Sequence, residues 1–403
     1  MKKILAFLFT VTLISTAAFS KNFFSQRFFE IKTGTSLDFS NNLFAANEFM
    51  KKDLVIDLRK IADECPESGF NLRADIEPSL ELNLNIRDFH LGFAAGVEMY
   101  ESMAVGKDLF DFLGYGNTIG DTLDFTCDND ADVFAFSQVD VGFRLGKLKI
   151  HVQPAVFLPI ISIRGVGGKA SVINDTDGNL IVDVDMDMDV YSIVELKSED
   201  KKSIKFETDK IEESLRSGYG FDLGGSVAYN LSKSFFVEAT CRIPVFPGYL
   251  DNKATVNGGF DYKVKLTDFE SSEKETKDIT ITNEKEKLSM HRPLKLNLYV
   301  DKNLLGSLFN ARAGAGFGIR RPFCSEAIFY PEYYLGFTLN LIDIFKLGVS
   351  TQYKDQLFIH QVGTTLNIRV LQIDLGLSSQ STSFTKSMSV AGIGAYAYVS
   401  MGF

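Results

Sequence analysis

The chain has 403 residues, 45% hydrophobic and 23% charged, with 42 Lys+Arg against 52 Asp+Glu and a net charge of −10. An acidic balance of this kind argues against nucleic acid as a partner, and four cysteines are too few for a disulfide scaffold. With 32 Gly, 36 Phe, no Trp and turn signals throughout, the composition points to one large all-β body rather than a string of domains.

At the N-terminus, Lys2 and Lys3 precede an apolar run over 4–14, and the segment closes on "STAAFS" with Ala18 and Ser20 at the small-residue positions. This is the pattern of a secretory signal peptide over residues 1–20, leaving 21–403 as the exported chain. The apolar run is too short to span a bilayer, and no later stretch of about 18 apolar residues occurs. Removing Lys2 and Lys3 takes the net charge from −10 to −12.

Downstream, alternation of apolar and polar residues predicts strands over 29–39, 71–87, 89–99, 133–145, 148–161, 219–231 and 235–245. It continues over 293–301, 309–319, 332–341, 345–353, 357–368, 370–379 and 388–403, about fourteen strands in all. The second, "NLRADIEPSLELNLNIR", puts Leu72, Ile76, Leu80, Leu82, Leu84 and Ile86 on one face. Its other face carries Arg73, Asp75, Glu77, Glu81 and Asn83. Strands of soluble proteins usually run about 5–6 residues, and this pattern lasts far longer.

Connections after every second strand are short, whereas 40–70, 100–132, 162–218 and 246–292 are long. All strands then run up and down with the long loops on one side, which is how an outer-membrane barrel sorts its loops. Aromatic residues fall into two bands on the apolar face. Phe29, Phe89, Phe143, Tyr229, Phe235, Phe345 and Phe403 lie toward the short turns, and Phe39, Phe221, Phe317, Tyr333, Tyr353 and Phe358 toward the long loops. Such girdles flank the hydrocarbon layer. The expected fold is therefore a closed, antiparallel, up-and-down transmembrane β-barrel with its apolar face in lipid.

The last strand, "SVAGIGAYAYVSMGF", shares one face among Ala397, Val399, Met401 and Phe403. This ending resembles the C-terminal signal that the barrel-insertion machinery reads in bacterial outer-membrane proteins. A barrel of this strand number resembles the FadL-type transporters and related uncharacterised outer-membrane barrels. That resemblance implies passage of hydrophobic compounds. The likeness is architectural. FadL-type proteins carry an N-terminal plug with an Asn-Pro-Ala signature, whereas here about eight residues separate the expected cleavage point from Phe29 and no Asn-Pro-Ala occurs. One helix is expected over 43–62, with Met50, Leu54, Leu58 and Ile61 on one face, either on the outer rim or folded into the mouth.

Parity places Arg73, Asp75, Glu77, Glu81, Glu98, Asp140, Arg144, Lys149, Glu238, Arg242, Lys295, Arg312, Lys346 and Asp374 on the lumen wall. Both signs are present, either as a bracing network of pairs or as a wet pore that biases which solutes pass. Gly314, Gly316 and Gly318 would thin one wall and leave room there. "IVDVDMDMDV" sets Asp183, Asp185, Asp187 and Asp189 on one strand face, a solvated face or a loose gatherer of cations. "NDTDGN" reads as a hairpin turn, and 246–292 as a charged surface hairpin.

Of His90, His151, His291 and His360, His360 lies on the lipid face near the outer rim, without a clear Ser partner. No motif for a cofactor, a metal or catalysis stands out. Cys65, Cys127 and Cys324 fall in loops on one side, and two of them, first of all Cys65 with Cys127, could bridge in an oxidising compartment. The sequence therefore predicts a monomeric outer-membrane channel that passes small solutes or hydrophobic compounds, with lipid and the insertion machinery as its partners. The other reading is a surface-exposed structural or adhesive barrel whose long loops bind host or matrix.

Overall fold

A computed structural model describes residues 27–403 except 46–55, 178, 200–202, 208–214, 216, 266–267, 306–307, 342–343 and 369. The expected signal peptide lies outside the described residues, as does the middle of the helix expected over 43–62.

The strands in chain order begin with β1 (Phe29–Asn41), β2 (Phe70–Ile86), β3 (Phe89–Val105), β4 (Thr122–Leu145) and β5 (Leu148–Asn174). Next come β6 (Asn179–Ser192), the small β7 (Leu196–Glu199) and β8 (Ser203–Phe206), then β9 (Gly220–Ser232) and β10 (Phe235–Phe246). The second long insertion holds β11 (Gly248–Leu250), β12 (Asn252–Lys265), β13 (Asp268–Glu284) and β14 (Leu288–Met290). The chain ends through β15 (Leu294–Leu304), β16 (Phe309–Arg320), β17 (Ile328–Leu341), β18 (Phe345–Lys354), β19 (Leu357–Ile368), β20 (Leu371–Ser381) and β21 (Ile393–Gly402). Among the described residues, three short helices stand between strands: α1 (Leu58–Glu64), α2 (Lys107–Tyr115) and α3 (Phe384–Ser387).

The ring closes through antiparallel ladders. β1 pairs with β2, β2 with β3, β3 with β4 and β4 with β5. The lower part of β5 then pairs with β9, β9 with β10, and β10 with β15. The ladder continues from β15 to β21 in sequence order. β21 returns to β1 over Glu30↔Gly402 to Phe39↔Ile393. Closure leaves no strand edge for lipid to meet, which is the condition for a sheet to span a bilayer.

The sheet holds seventeen strands, more than the about fourteen expected. The excess is β6, β12 and β13. They pair with one another and with the upper part of β5, outside the ring. The two longest expected loops are thus largely strand, because β4 and β5, at 24 and 27 residues, run well past the about 9–11 needed to cross. The upper end of β5 offers an edge to β6, and β12 and β13 add on from there.

Side-chain direction follows the sequence parity. Phe93, Val139, Val152, Val227, Leu298, Phe337, Val349 and Val362 are exposed on the outer surface, whereas the same strands bury Glu98, Asp140, His151, Asp301 and Arg312 inside. Aromatic contacts mark both ends of the wall. Phe403 meets Phe29 at 6.0 Å and Phe89 meets Phe143 at 5.5 Å near the short turns. Tyr333 stacks on Tyr353 at 6.0 Å, and Tyr353 meets Phe358 at 4.6 Å, toward the other end. Both described chain ends meet at the short-turn side, where Phe29 and Phe403 exchange backbone hydrogen bonds of 3.2 and 3.1 Å.

One ladder is interrupted. β1 and β2 pair at Phe29↔Leu84 and again at Ser40↔Arg73 and Asn41↔Leu72, with no pairing between those points. Pro78 lies on β2 within that seam. It lacks a backbone N–H and cannot donate to the β1 ladder.

The described part of the expected helix is α1, capped by the Asp57 carboxylate, which accepts from Lys60 N at 3.1 Å. It packs against α2 through a cluster of Leu43, Ala62, Cys65 and Phe110. Lys386 of α3 donates to Glu64 at 2.8 Å and holds that carboxyl below its ordinary range. All four cysteines are free, so the Cys65–Cys127 bridge is not formed.

Candidate functional site

The enclosed space is the natural place for function in a barrel. Its wall is polar, and its charges are paired across the lumen rather than along one strand. Near mid-height, Arg312 donates to Asp301 at 3.1 Å and Glu238 at 2.9 Å, with its guanidinium over the Tyr299 ring. Lys295 lies 3.3 Å from Asp355 and 3.6 Å from Glu332, and Lys354 lies 3.4 Å from Glu77. A cavity of about 150 Å³ opens between these groups, with Asp38, Glu77, Tyr299, Arg312, Tyr334 and Tyr396 on its wall.

Above this chamber, arginine contacts link separate parts of the barrel wall. Arg292, just before β15, is 2% exposed. It donates to Glu98 of β3 at 2.7 Å and to Asp222 of β9 at 3.0 Å, and lies over the Phe136 ring. Arg242 reaches the same Glu98 carboxylate at 2.7 Å. Arg320 lies over the Tyr100 ring of β3. Arg321 donates to Asp132 of β4 at 2.8 Å and also to Asp130. Burial opposes the Arg321 charge, yet Asp132 and Asp130 raise its pKa above the usual arginine value. Alongside these pairs, Leu250 of β11 and Met290 of β14 pack with Tyr100, Phe134, Phe136, Phe157 and Tyr191. The second long insertion thus folds its base into the mouth.

The sequence-predicted lumen residues divide into groups. Glu98, Arg242, Glu238, Arg312, Lys295 and Glu77 belong to the pairs above. Arg73 donates to the Asp355 carbonyl at 2.8 Å and to Gln356 at 2.7 Å. Asp75 shares its face on β2, Glu81 lies 3.9 Å from Lys32, and Asp140 joins His151 at 2.7 Å. Asp374 accepts from Thr365 at 2.5 Å and Gln372 at 2.8 Å. Lys149 and Lys346 are half-buried close to the short turns. Arg144 stands opposite Lys149 at the end of the same ladder. It is exposed beside the turn, with Nε 3.4 Å from the Gly146 carbonyl, because the wall ends there and leaves the side chain free to reach water.

Other expectations are corrected by packing. Gly314, Gly316 and Gly318 leave no free volume, since a Cβ at each would fall within 2.2 Å of Tyr299, Asn297 or Tyr330 side-chain atoms. Neighbouring side chains lie across the bare backbone. On the Asp183–Asp189 face, three of the four aspartates pair with lysine. Lys277 reaches Asp183 and Asp185, each at 2.6 Å, and Lys253 reaches Asp189 at 3.1 Å. His360 does have a serine neighbour, Ser387 Oγ of α3, at 3.0 Å. That hydroxyl donates back to the Phe384 carbonyl at 2.6 Å, and the residue is fully buried, so it offers no accessible nucleophile.

Asp301, Glu332 and Tyr299 were findable, since they share strand parity with Lys295 and Arg312. Arg292 and Asp355 were not, because both sit outside strands, where alternation carries no signal.

No protein-family model and no curated protein matches the chain. Among solved structures it is similar to the toluene transporter TodX of Pseudomonas putida, at a TM-score of 0.48 and 10% identity over 94% of this chain and 91% of that one. A FadL homologue of Pseudomonas aeruginosa matches at a TM-score of 0.42 and 8% identity, over 94% and 90%. The translocator domain of autotransporter NalP from Neisseria meningitidis matches at 0.33 and 6%, over 100% and 95%. The closed barrel itself rests on the strand pairings described above.

Proposed function

We propose that the protein is a gated outer-membrane transporter that passes small polar or amphiphilic molecules, with its mouth closed in the state described. The supporting observation is the bank of arginines, Arg292, Arg320 and Arg321, crossing the mouth onto the Glu98, Tyr100 and Asp132 wall above a chamber. A barrel meant only to be rigid has no need to keep solvent-sized space beneath such a closure. Charged groups and tyrosine hydroxyls line the chamber, so it suits a solute carrying hydrogen-bonding or charged groups alongside an apolar part. A bare hydrocarbon would leave those groups desolvated and unanswered. The lumen residues predicted from sequence would act in this reading as the polar path.

Planar-bilayer recording tests it. The wild-type barrel should conduct in rare, brief openings, and Arg292→Ala with Arg321→Ala should raise open time at least about tenfold, since each removes a latch of roughly 1.4 kcal/mol or more. Silence in both proteins, with liposomes equally impermeable to small zwitterions, would overturn the proposal. The exposed extension of β6, β12 and β13 would then favour the display reading.

A further inference from the structure

A second cluster lies well below the mouth, near the short turns, and no part of the gate uses it. His90 is the second residue of β3, Asp140 lies near the end of β4, and His151 is the fourth residue of β5. Parity turns all three inward, and all three are buried. Each can offer one donor atom such that all three atoms fall within 4.8 Å of one another.

The backbone is arranged to bring the two rings together. Gly142 pairs with His90 on one side and with His151 on the other. A Cβ there would fall 2.6 Å from the His151 ring, so only glycine lets the rings stand 5.1 Å apart. Gly92 does the same for Asp140, where a Cβ would meet the Asp140 Cβ and His90 Nε2 at 3.0 Å.

Orientation is set as well. Asn85 Nδ2 donates to the Arg27 carbonyl at 2.9 Å, which turns its Oδ1 toward His90 Nδ1 at 2.7 Å. An amide oxygen only accepts, so Nδ1 carries the hydrogen and Nε2 of the neutral ring carries the lone pair. That nitrogen stands 3.7 Å from Asp140 Oδ2. Two donors each about 2.0–2.1 Å from one tetrahedral zinc ion stand about 3.3–3.4 Å apart, so an ion would draw this pair in by a few tenths of an ångström. An outer acceptor that fixes the tautomer of a ligating histidine is the usual support of such a site. Gln153 steadies Asp140 from the other side at 2.8 Å.

We propose that His90, Asp140 and His151 bind a divalent transition cation on the lumen wall, with two imidazoles and one carboxylate as protein donors and one position left to water or solute. This N₂O set suits zinc and its borderline neighbours rather than calcium or magnesium, which prefer all-oxygen shells. The site is independent of whether the mouth gates transport.

Chelator-stripped full-length barrel in detergent is titrated with Zn²⁺ by calorimetry and with Co²⁺ by visible absorption, while heat-dependent gel mobility reports folding. The wild type should bind one ion per chain and give cobalt d–d bands. His90→Gln with His151→Gln should weaken binding at least about 100-fold, and Asn85→Ala, which removes no ligand, about 10–100-fold. Absence of uptake by the folded wild type overturns the proposal, as does a folded double variant that binds as tightly. The wild-type result decides the matter even if a variant fails to fold.

Discussion

Two cations in this molecule are each held by carboxylates, and their surroundings make them opposites. Arg292 is buried in the barrel mouth between Glu98 and Asp222, whereas Lys277 stands on the projecting β12–β13 hairpin between Asp183, Asp185 and Asp261. The salt-bridge lengths are similar, at 2.7 and 3.0 Å for the arginine and 2.6, 2.6 and 3.4 Å for the lysine. Water access is what differs. In the mouth, each charge has been stripped of solvent and depends on its partner. On the extension, water can replace any partner that leaves. Distance alone therefore does not indicate how much a salt bridge matters.

The largest expected effect is at the mouth. Arg292→Ala should destabilise the folded barrel by about 3–5 kcal/mol, because Glu98 and Asp222 lose a common buried counter-charge. Urea unfolding in detergent or bilayers measures this, and a loss below about 1 kcal/mol would show that water already fills the mouth. A slightly smaller loss should follow a cation placed where neither partner nor water is at hand. Val362→Arg, on the outward face of β19, should cost about 2–4 kcal/mol if that residue meets mid-membrane lipid. A neutral result would place Val362 in the headgroup region.

Acid should sharpen the contrast on the extension. Asp183 is held below its ordinary 3.8, chiefly by the Lys277 hydrogen bond. A lowered carboxylate contributes stability above its unfolded value and loses it as pH falls through the folded one. Protease sensitivity of the β12–β13 hairpin should thus rise only below about pH 3.8. The smallest effect is that of Lys277→Ala at neutral pH. It should leave global unfolding unchanged, and high salt should reproduce its local effect in the wild type.

The barrel was legible because alternation is a local property. Leu80, Leu82 and Leu84 against Glu81 and Asn83 announce two faces without reference to any other strand, and the uneven loop lengths say which end is which. The same parity gave most lumen residues, and applied without omission it would have added His90, His151, Asp301 and Glu332 as a set. Sequence reasoning failed at Gly314, Gly316 and Gly318, where a missing side chain was taken for space that Tyr299, Asn297 and Tyr330 fill. In the long insertions, the charged hairpin expected over 246–292 is present as β12 and β13. What charge and loop length did not announce is that the projecting edge of β5 takes up β6, and β6 takes up β12, into the same sheet.

By itself the sequence determined which residues meet lipid and which meet the enclosed space, because a strand repeats every two residues wherever it lies. Only the closed tertiary structure decided which inward residues meet one another. Glu98 and Arg292 are 194 residues apart, and Arg321 reaches Asp132 over 189. Those contacts exist because the ring brings opposite walls within a side chain's reach and excludes the water that would otherwise separate them.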